Sequence, residues 1–240
     1  MKIVEPQVEL WKQEPTLEGA WHQIARATRV CYQSKPRKDE SDEAFVNRVI
    51  LEPATREDGS IDFDKCHGAM LEHGTIYLTI PGDRIFDTID PISKYIENKY
   101  SRVIFIHEDN DHVNDACITT NMRVIIENNW QDDLKFISGP IYHVKRTTFS
   151  VITDIGVTRE LNRHRVNSMA EQSTRYCTYS ADKFGNEITY TTNDFLASCM
   201  NDLHFDGFTI DSYFFRELCE DIANNEINHW GSSIYYVYND

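Results

Sequence analysis

The chain of 240 residues lacks the features that mark membrane, secreted and disulfide-stapled proteins. No apolar run approaches the ~18 residues that a membrane helix needs. The first ten residues, MKIVEPQVEL, contain no signal-peptide core. The six cysteines form no CxxC pairs, which is typical of reduced thiols rather than of a disulfide framework. We therefore expect a cytoplasmic protein that does not interact with a membrane.

The common nucleotide and metal motifs are absent as well. The sequence contains neither GxGxxG nor GxxxxGK[ST], so it does not predict a Rossmann or a P-loop site. Residues 107–112 (HEDNDH) lack the glycine and the final glutamate of an EF-hand, which favours a solvated acidic loop. Cys66, His67 and His73 have no second Cys or His pair at zinc spacing. We expect no metal site.

Cysteine-based catalysis is a different alternative. Cys31 and Cys177 have histidines available once the chain folds, so a Cys–His nucleophilic enzyme stays open at this stage. No local pattern favours it.

Basic residues are scarce, with 24 Lys and Arg against 39 Asp and Glu and a formal net charge of −15. A nucleic-acid backbone calls for a broad basic surface, so we do not expect nucleic acid as a partner. Residues 163–176, RHRVNSMAEQSTRY, reverse this sign locally. Because guanidinium groups bind phosphate bidentately, the segment predicts a small phosphate-bearing ligand such as a nucleotide. The competing interpretation is a solvated surface with ion pairs such as Glu171–Arg175.

The polar residues of this segment recur at helical spacing. Ser168, Glu171, Gln172 and Arg175 stand at i, i+3, i+4 and i+7, so a helix would present them as one polar stripe. The segment offers little apolar surface to bury. This pattern indicates contacts with a polar ligand.

Periodicity predicts both helices and strands along the chain. Helices are predicted over residues 17–30, 41–50, 120–128 (begun by Thr119 or Thr120), from about 158 into 163–165, and over most of 211–238. Strands are predicted over residues 2–11, 75–80, 102–106 and 147–153, and a tight turn over 57–60. The order shows no βαβ rhythm, so we predict the α+β class with a mixed or antiparallel sheet and packed helices.

Three segments resemble the flavin-dependent (alternative) thymidylate synthases. Residues 163–176 match the signature RHRxxSxxxxSxRY, and residues 25–32 (ARATRVCY) resemble the AARVSY-type segment. Residues 67–73 (HGAMLEH) are similar to HxSPFEH, with Met-Leu where Pro-Phe is commoner. The segments occur in the family's order, and the resemblance covers about residues 17–195. Stretches at 72–75, 119–123 and 179–185 are similar to a long-insert branch of the family.

This resemblance implies an activity and an architecture. The family methylates dUMP to dTMP, taking carbon from methylenetetrahydrofolate and reducing power from NADPH through FAD. It implies a single thymidylate synthase domain over residues 1–240 with an insertion at 74–140. It also implies a non-Rossmann flavin-binding fold and a homotetramer whose sites lie where subunits meet. The alternative is an inactive or partial module that binds flavin or nucleotide on the same scaffold.

The resemblance also implies the site residues. FAD contacts fall on His67, Ala69, Arg163, His164, Arg165 and Glu171. Contacts with dUMP fall on Glu160, Leu161, Asn162, Arg163, Glu171, Gln172, Ser173, Thr174 and Arg175. Ala69 departs from a hydroxyl residue that often contacts FAD, and Glu160 from a glutamine. Ser173 is expected to bind dUMP rather than act as a nucleophile, because an activated serine needs an oriented base.

The residues expected to carry catalysis are not assigned. Family members continue past the equivalent of Asp240 with elements resembling ARxxLP and NxRxxxHFxxLR, which supply the arginine that polarises the uracil. Residues 234–240 read as the middle of a helix without a stop signal. The expectation is a truncated or split chain with weak or no activity.

Overall fold

The computed structural model describes residues 2–4, 6–82, 92–107, 113–153, 155–163, 167–172, 189–191 and 235–238. The chain divides into two compact units, Met1–Lys12 with Thr147–Val237 and Gln13–Arg146 with Tyr238–Asp240. Helices accompany largely antiparallel sheets, which confirms the α+β class. None of the helices in these ranges is long and apolar enough to span a membrane. That residues 74–140 are an insertion stays a prediction.

The second unit opens with helix α1 (Leu17–Tyr32), predicted over residues 17–30. The helix begins where Thr16 accepts a hydrogen bond from the Gly19 N–H at 3.0 Å, as expected of a threonine at this position. Ala20 and Ile24 lie on its fully buried face. It ends because Gln33 adopts a left-handed conformation with φ 49°.

A second helical stretch follows where the pattern predicted a helix over 41–50. Helix α2 (Asp42–Val46) is capped by Ser41, continues as a π-helical turn (Asn47–Leu51) and closes as a 3-10 turn (Glu52–Ala54). The predicted turn at 57–60 is also present, with Gly59 at φ 84°. Local sequence was sufficient to place these elements.

A three-stranded antiparallel sheet forms the rest of the second unit's framework. It comprises β3 (Thr75–Pro81), β4 (Arg102–His107) and β5 (Val113–Asn121) in the order β3-β5-β4, with helix α3 (Ser93–Ile96) between β3 and β4 along the chain. The predictions of β3 and β4 are confirmed. The central strand β5 was not predicted, because its polar sequence becomes strand-like only when paired on both sides.

Strand β5 also corrects the predicted start of the next helix. Thr119 and Thr120 lie in the strand, and helix α4 (Met122–Glu127) begins after Asn121, whose side chain accepts from the Val124 N–H at 3.0 Å. Asparagine is as good an N-terminal cap as threonine. Tertiary pairing of the threonines with β3 decided between them.

The register of this sheet positions the candidate site. Thr75, the first residue of β3, lies opposite Asn121, the last residue of β5. The 3-10 helix Gly68–His73, which precedes β3, is therefore brought beside α4, which follows β5. The Met122 N–H donates to the Gly74 carbonyl at 2.9 Å and closes this junction.

The first unit is built on a four-stranded sheet in the order β2-β6-β9-β7. Its strands are β2 (Gln7–Trp11), β6 (Thr147–Ile152), β7 (Ser168–Ala170) and β9 (Tyr235–Tyr238). Strands β1 (Lys2–Val4) and β8 (Thr189–Thr191) form a separate parallel pair. The strands predicted at 2–11, here divided into β1 and β2, and at 147–153 are confirmed.

Three helical expectations fail in this unit. Helix α5 (Ile155–Leu161) ends before Arg163 instead of continuing through 163–165. Ser168 lies in strand β7, so the predicted helical stripe does not form. Residues 235–238 are a strand, not a helix, and pair with β7, Val237 lying opposite Ser168. The remainder of 211–238 lies outside the described residues.

Candidate functional site

In the second unit, three segments distant in sequence meet at residues 67–73. Tyr32, the last residue of α1, lies with its Oη 2.6 Å from Nδ1 of His67. On α4, Arg123 places its Nη1 2.6 Å from Oε1 of Glu72. The structure thus assembles the segments at 25–32, 67–73 and 119–123, all of which carry the resemblance.

His67 is half-buried and immediately precedes the 3-10 helix Gly68–His73. Its ring meets the Tyr32 ring edge to face, with centroids 5.5 Å apart and an interplanar angle of 86°. Burial lowers the pKa of His67, because a desolvated imidazolium is unfavourable. The side chain is therefore neutral at pH 7. Ala69, the other predicted FAD contact of this unit, lies partly exposed in the 3-10 helix.

The guanidinium of Arg123 lies next to Gly68. A Cβ added to Gly68 would lie 3.2 Å from Arg123 Nε, so glycine permits the close approach. Arg123 also binds Glu127, with Nε 2.7 Å from Oε1. Burial lowers the pKa of Arg123, but its hydrogen bonds to Glu127 and Glu72 outweigh that effect and raise the pKa.

His73 ends the segment in the core, with none of its surface exposed. Burial lowers its pKa to about 4, so it is neutral and acts as a core histidine rather than as a proton carrier near pH 7. Gly74 follows because a Cβ there would lie 2.5 Å from Ile24 Cδ1. The absence of a side chain at Gly74 therefore leaves room for Ile24 of α1.

In the first unit, the predicted substrate residues surround the end of α5. Glu171, directly after β7, accepts a hydrogen bond from Thr158 Oγ1 at 2.7 Å and from Asn162 Nδ2 at 3.0 Å. Arg163 Nη1 lies 3.0 Å from Glu160 Oε2, and both side chains are largely exposed, at 76% and 56%. The structure thus brings Asn162 to Glu171 and Arg163 to Glu160.

The other predicted residues of this unit divide into two groups. Leu161 is buried, so its backbone alone is available to a ligand, whereas Gln172 is exposed. The predicted residues outside the described ranges are His164, Arg165, Ser173, Thr174 and Arg175.

Sequence reasoning did not assign a site role to Tyr32, Arg123 or Thr158. Tyr32 and Arg123 stood in segments that were noticed only for their resemblance, and contact with His67 and Glu72 depends on the fold. Thr158 has no motif of its own. Its position one turn before Asn162 was the available signal, because residues at i and i+4 share a helix face.

The described residues include no group of three or more His, Cys, Asp or Glu side chains placed to hold a metal ion. The family model of the thymidylate synthase complementing protein (Thy1) matches residues 110–229, half of the chain. No curated protein and no solved structure matches. The matched range contains α4, α5 and the arginine-rich segment, but neither residues 25–32 nor residues 67–73.

Proposed function

Since the chain belongs to the thymidylate synthase complementing protein family, we propose that it is a flavin-dependent thymidylate synthase. The proposed reaction converts dUMP to dTMP, with methylenetetrahydrofolate as the carbon donor and NADPH-reduced FAD as the hydride carrier. Family membership supports the coarser function, thymidylate synthesis, and the site residues support the finer one.

The observation that carries the proposal is the contact between Tyr32 and His67. Their segments are separated by more than 30 residues, and both lie before the range that the family model matches. The resemblance of these segments and the family match are therefore independent. Both point to the same activity.

The second unit's residues suit contact with a flavin ring. FAD, when bound, supplies the hydride chemistry that side chains cannot perform. His67 offers a neutral, half-buried imidazole whose orientation is held by Tyr32. A neutral donor and acceptor beside a ring system gives directional hydrogen bonding without an opposing charge.

In the first unit, Arg163 suits a phosphate. Its ion pair with Glu160 is exposed, and such pairs contribute only ~0–1 kcal/mol. A phosphate dianion can displace Glu160 and bind the guanidinium bidentately. The same chemistry would extend to Arg165 and Arg175, which lie outside the described residues.

Glu171 suits the sugar or the base of dUMP rather than its phosphate. An ionised carboxylate only accepts hydrogen bonds, and Thr158 and Asn162 already orient this one. It would accept from the 3′-hydroxyl of the deoxyribose or from the uracil N–H. Asn162 and Gln172 would add neutral donors at the same edge.

The test is the visible absorption spectrum of the purified chain, recorded before and after addition of dUMP. We expect oxidised-flavin bands that shift when dUMP binds, and a dUMP affinity at least tenfold weaker in Arg163→Gln. The matched control is Arg159→Gln, an exposed arginine of α5 outside the predicted site, which should leave the affinity unchanged.

Two outcomes would change the proposal. A chain that takes up no added FAD and does not respond to dUMP would contradict it. Flavin and dUMP binding without dTMP formation, when both co-substrates are supplied, would favour the alternative of a binding module.

We also propose a homotetramer. Light scattering of the purified chain checks this, and a monomer at micromolar concentration would count against it.

A further inference from the structure

The hydrogen bond between Tyr32 and His67 determines more than the orientation of a ring. The Oη to Nδ1 distance of 2.6 Å lies at the short end for a hydrogen bond from a hydroxyl group. Tyr32 closes α1, and the chain leaves the helix at once through the left-handed Gln33. The position of the Tyr32 phenol beside His67 is therefore set by the C-terminal end of α1.

Chemistry decides which group donates. Burial keeps His67 neutral, and a neutral imidazole has one N–H and one bare nitrogen that accepts. The bare nitrogen is the stronger acceptor of the two partners, and the phenol O–H is a good donor. Tyr32 therefore donates to Nδ1, and the proton of the imidazole resides on Nε2.

The neighbouring groups do not oppose this arrangement. Cys66 precedes His67, and burial raises the pKa of its thiol, so it is uncharged at pH 7. Arg123 lies beneath Gly68, but its charge is matched by Glu72 and Glu127. The group that contacts Nδ1 of His67 is the Tyr32 hydroxyl and not a carboxylate.

We propose that Tyr32 is a positioning residue that holds His67 as its Nε2–H tautomer, so that the imidazole presents an N–H donor to the flavin. The identity of the flavin rests on the proposed function, whereas the tautomer does not. The proposed role of Tyr32 is carried by its contact with His67.

The first experiment needs no flavin. Ring nitrogen NMR of the full chain labelled with 15N-histidine reports the tautomer of each imidazole, and His67→Gln identifies the His67 signals. We expect a protonated Nε2 and a bare Nδ1 in the wild type. Tyr32→Phe should give a mixture of tautomers and a higher pKa for His67, because the lost hydrogen bond stabilised the neutral form.

Two results would overturn the tautomer. One is a protonated Nδ1 in the wild type, which makes the phenol oxygen the acceptor. The other is an unchanged or lower pKa of His67 in Tyr32→Phe.

The second experiment measures FAD affinity through the visible bands. Tyr32→Phe should weaken it by roughly 3- to 10-fold, the effect of one neutral hydrogen bond. Tyr77→Phe is the matched control, because Tyr77 also meets a histidine edge to face, His143 at 5.5 Å, without a bond from its hydroxyl to that ring. It should leave both His67 and the FAD affinity unchanged.

The two experiments separate the possible failures. Equal FAD affinity of the wild type and Tyr32→Phe would overturn the positioning role while the tautomer stands. A wild type that binds no FAD would overturn the proposed function and the flavin contact together, and the NMR result would still report the tautomer.

Discussion

The two regions that carry predicted site residues are stabilised in opposite ways. Around residues 67–73, the contacts join three segments distant in sequence, and the central cation, Arg123, is paired with two carboxylates. Around Glu160 to Gln172, the described contacts join residues of one stretch of the chain, 3 to 13 positions apart. Most of their polar groups are exposed. Arg163 pairs with Glu160, which lies three residues earlier in the chain.

This difference has a physical consequence. A half-buried cation must be paired because its desolvation is unfavourable. Arg123, near residues 67–73, therefore cannot exchange its partners without a loss of stability. An exposed ion pair is weak, and its arginine can exchange a carboxylate for a ligand's phosphate. We expect substitutions around residues 67–73 to affect folding and those around residues 160–172 to affect binding.

The largest expected effect is the loss of stability in acid caused by His73. Its pKa is about 4 in the folded chain and about 6.5 when unfolded, so the unfolded state binds more protons between these values. Neutral His73 contributes fully to the free energy of unfolding above pH 6.5. This contribution, roughly 3 kcal/mol, is lost as the pH falls to about 4. Urea unfolding at pH 7 and pH 5 should show a steeper loss in the wild type than in His73→Gln. Equal losses would refute the assignment.

Overpacking between α1 and the end of the 3-10 helix should follow in size. Gly74→Ala introduces a Cβ 2.5 Å from Ile24 Cδ1 and 3.1 Å from the Ala20 carbonyl oxygen. We expect a loss of ~1–3 kcal/mol in the free energy of unfolding. Gly139→Ala, where a Cβ meets nothing within 4 Å, should be neutral. Equal stability of the two variants would show that α1 can move away.

Removing Arg123, the cation shared by Glu72 and Glu127, should have a smaller effect on stability. Arg123→Gln leaves Glu72 and Glu127 without their common partner, and we expect a loss of about 1–2 kcal/mol, reduced because the site is partly exposed. Arg56→Gln removes an exposed arginine paired with Asp62 at 3.4 Å and should change stability by less than ~0.5 kcal/mol. Urea midpoints check both, and a reversed order would break the comparison.

The smallest stability effects are expected in the first unit. Glu160→Gln should change the free energy of unfolding by less than ~0.5 kcal/mol, and Glu171→Gln by less than ~1 kcal/mol, because one acceptor oxygen remains. Their effects on dUMP should differ. Titration should show affinity weakened roughly tenfold in Glu171→Gln and unchanged or higher in Glu160→Gln, where Arg163 is released. A loss of folding in Glu171→Gln would show that Glu171 stabilises the fold, as the residues around 67–73 do.

Local sequence was a good guide wherever local physics decides the structure. Helix α1 was predicted from its apolar period, and the structure shows that its cap, Thr16, needs only a residue three positions away. Strands β3 and β4 were predicted because each is a short run rich in β-branched and aromatic residues, and β6 was predicted from its alternation. The class of the fold and the family resemblance followed from such patterns.

The failures share a different cause. Strand β5 was missed and α4 was started too early because pairing with β3 and β4, not propensity, makes residues 113–121 a strand. Strands β7 and β9 were read as helical for the same reason, since each short strand depends on the other. A strand's partner lies elsewhere in the chain, and no local window contains it.

The candidate site shows the same division. The sequence by itself determined which chemical groups are available: His67 and the arginines, in an order that resembles one enzyme family. Only the tertiary structure decided that Tyr32 lies within hydrogen-bond distance of His67, that Arg123 pairs with Glu72, and that Thr158 donates a hydrogen bond to Glu171. Residue types and spacing are written along the chain, whereas the distance between two side chains depends on register and packing, which form only when the whole unit folds.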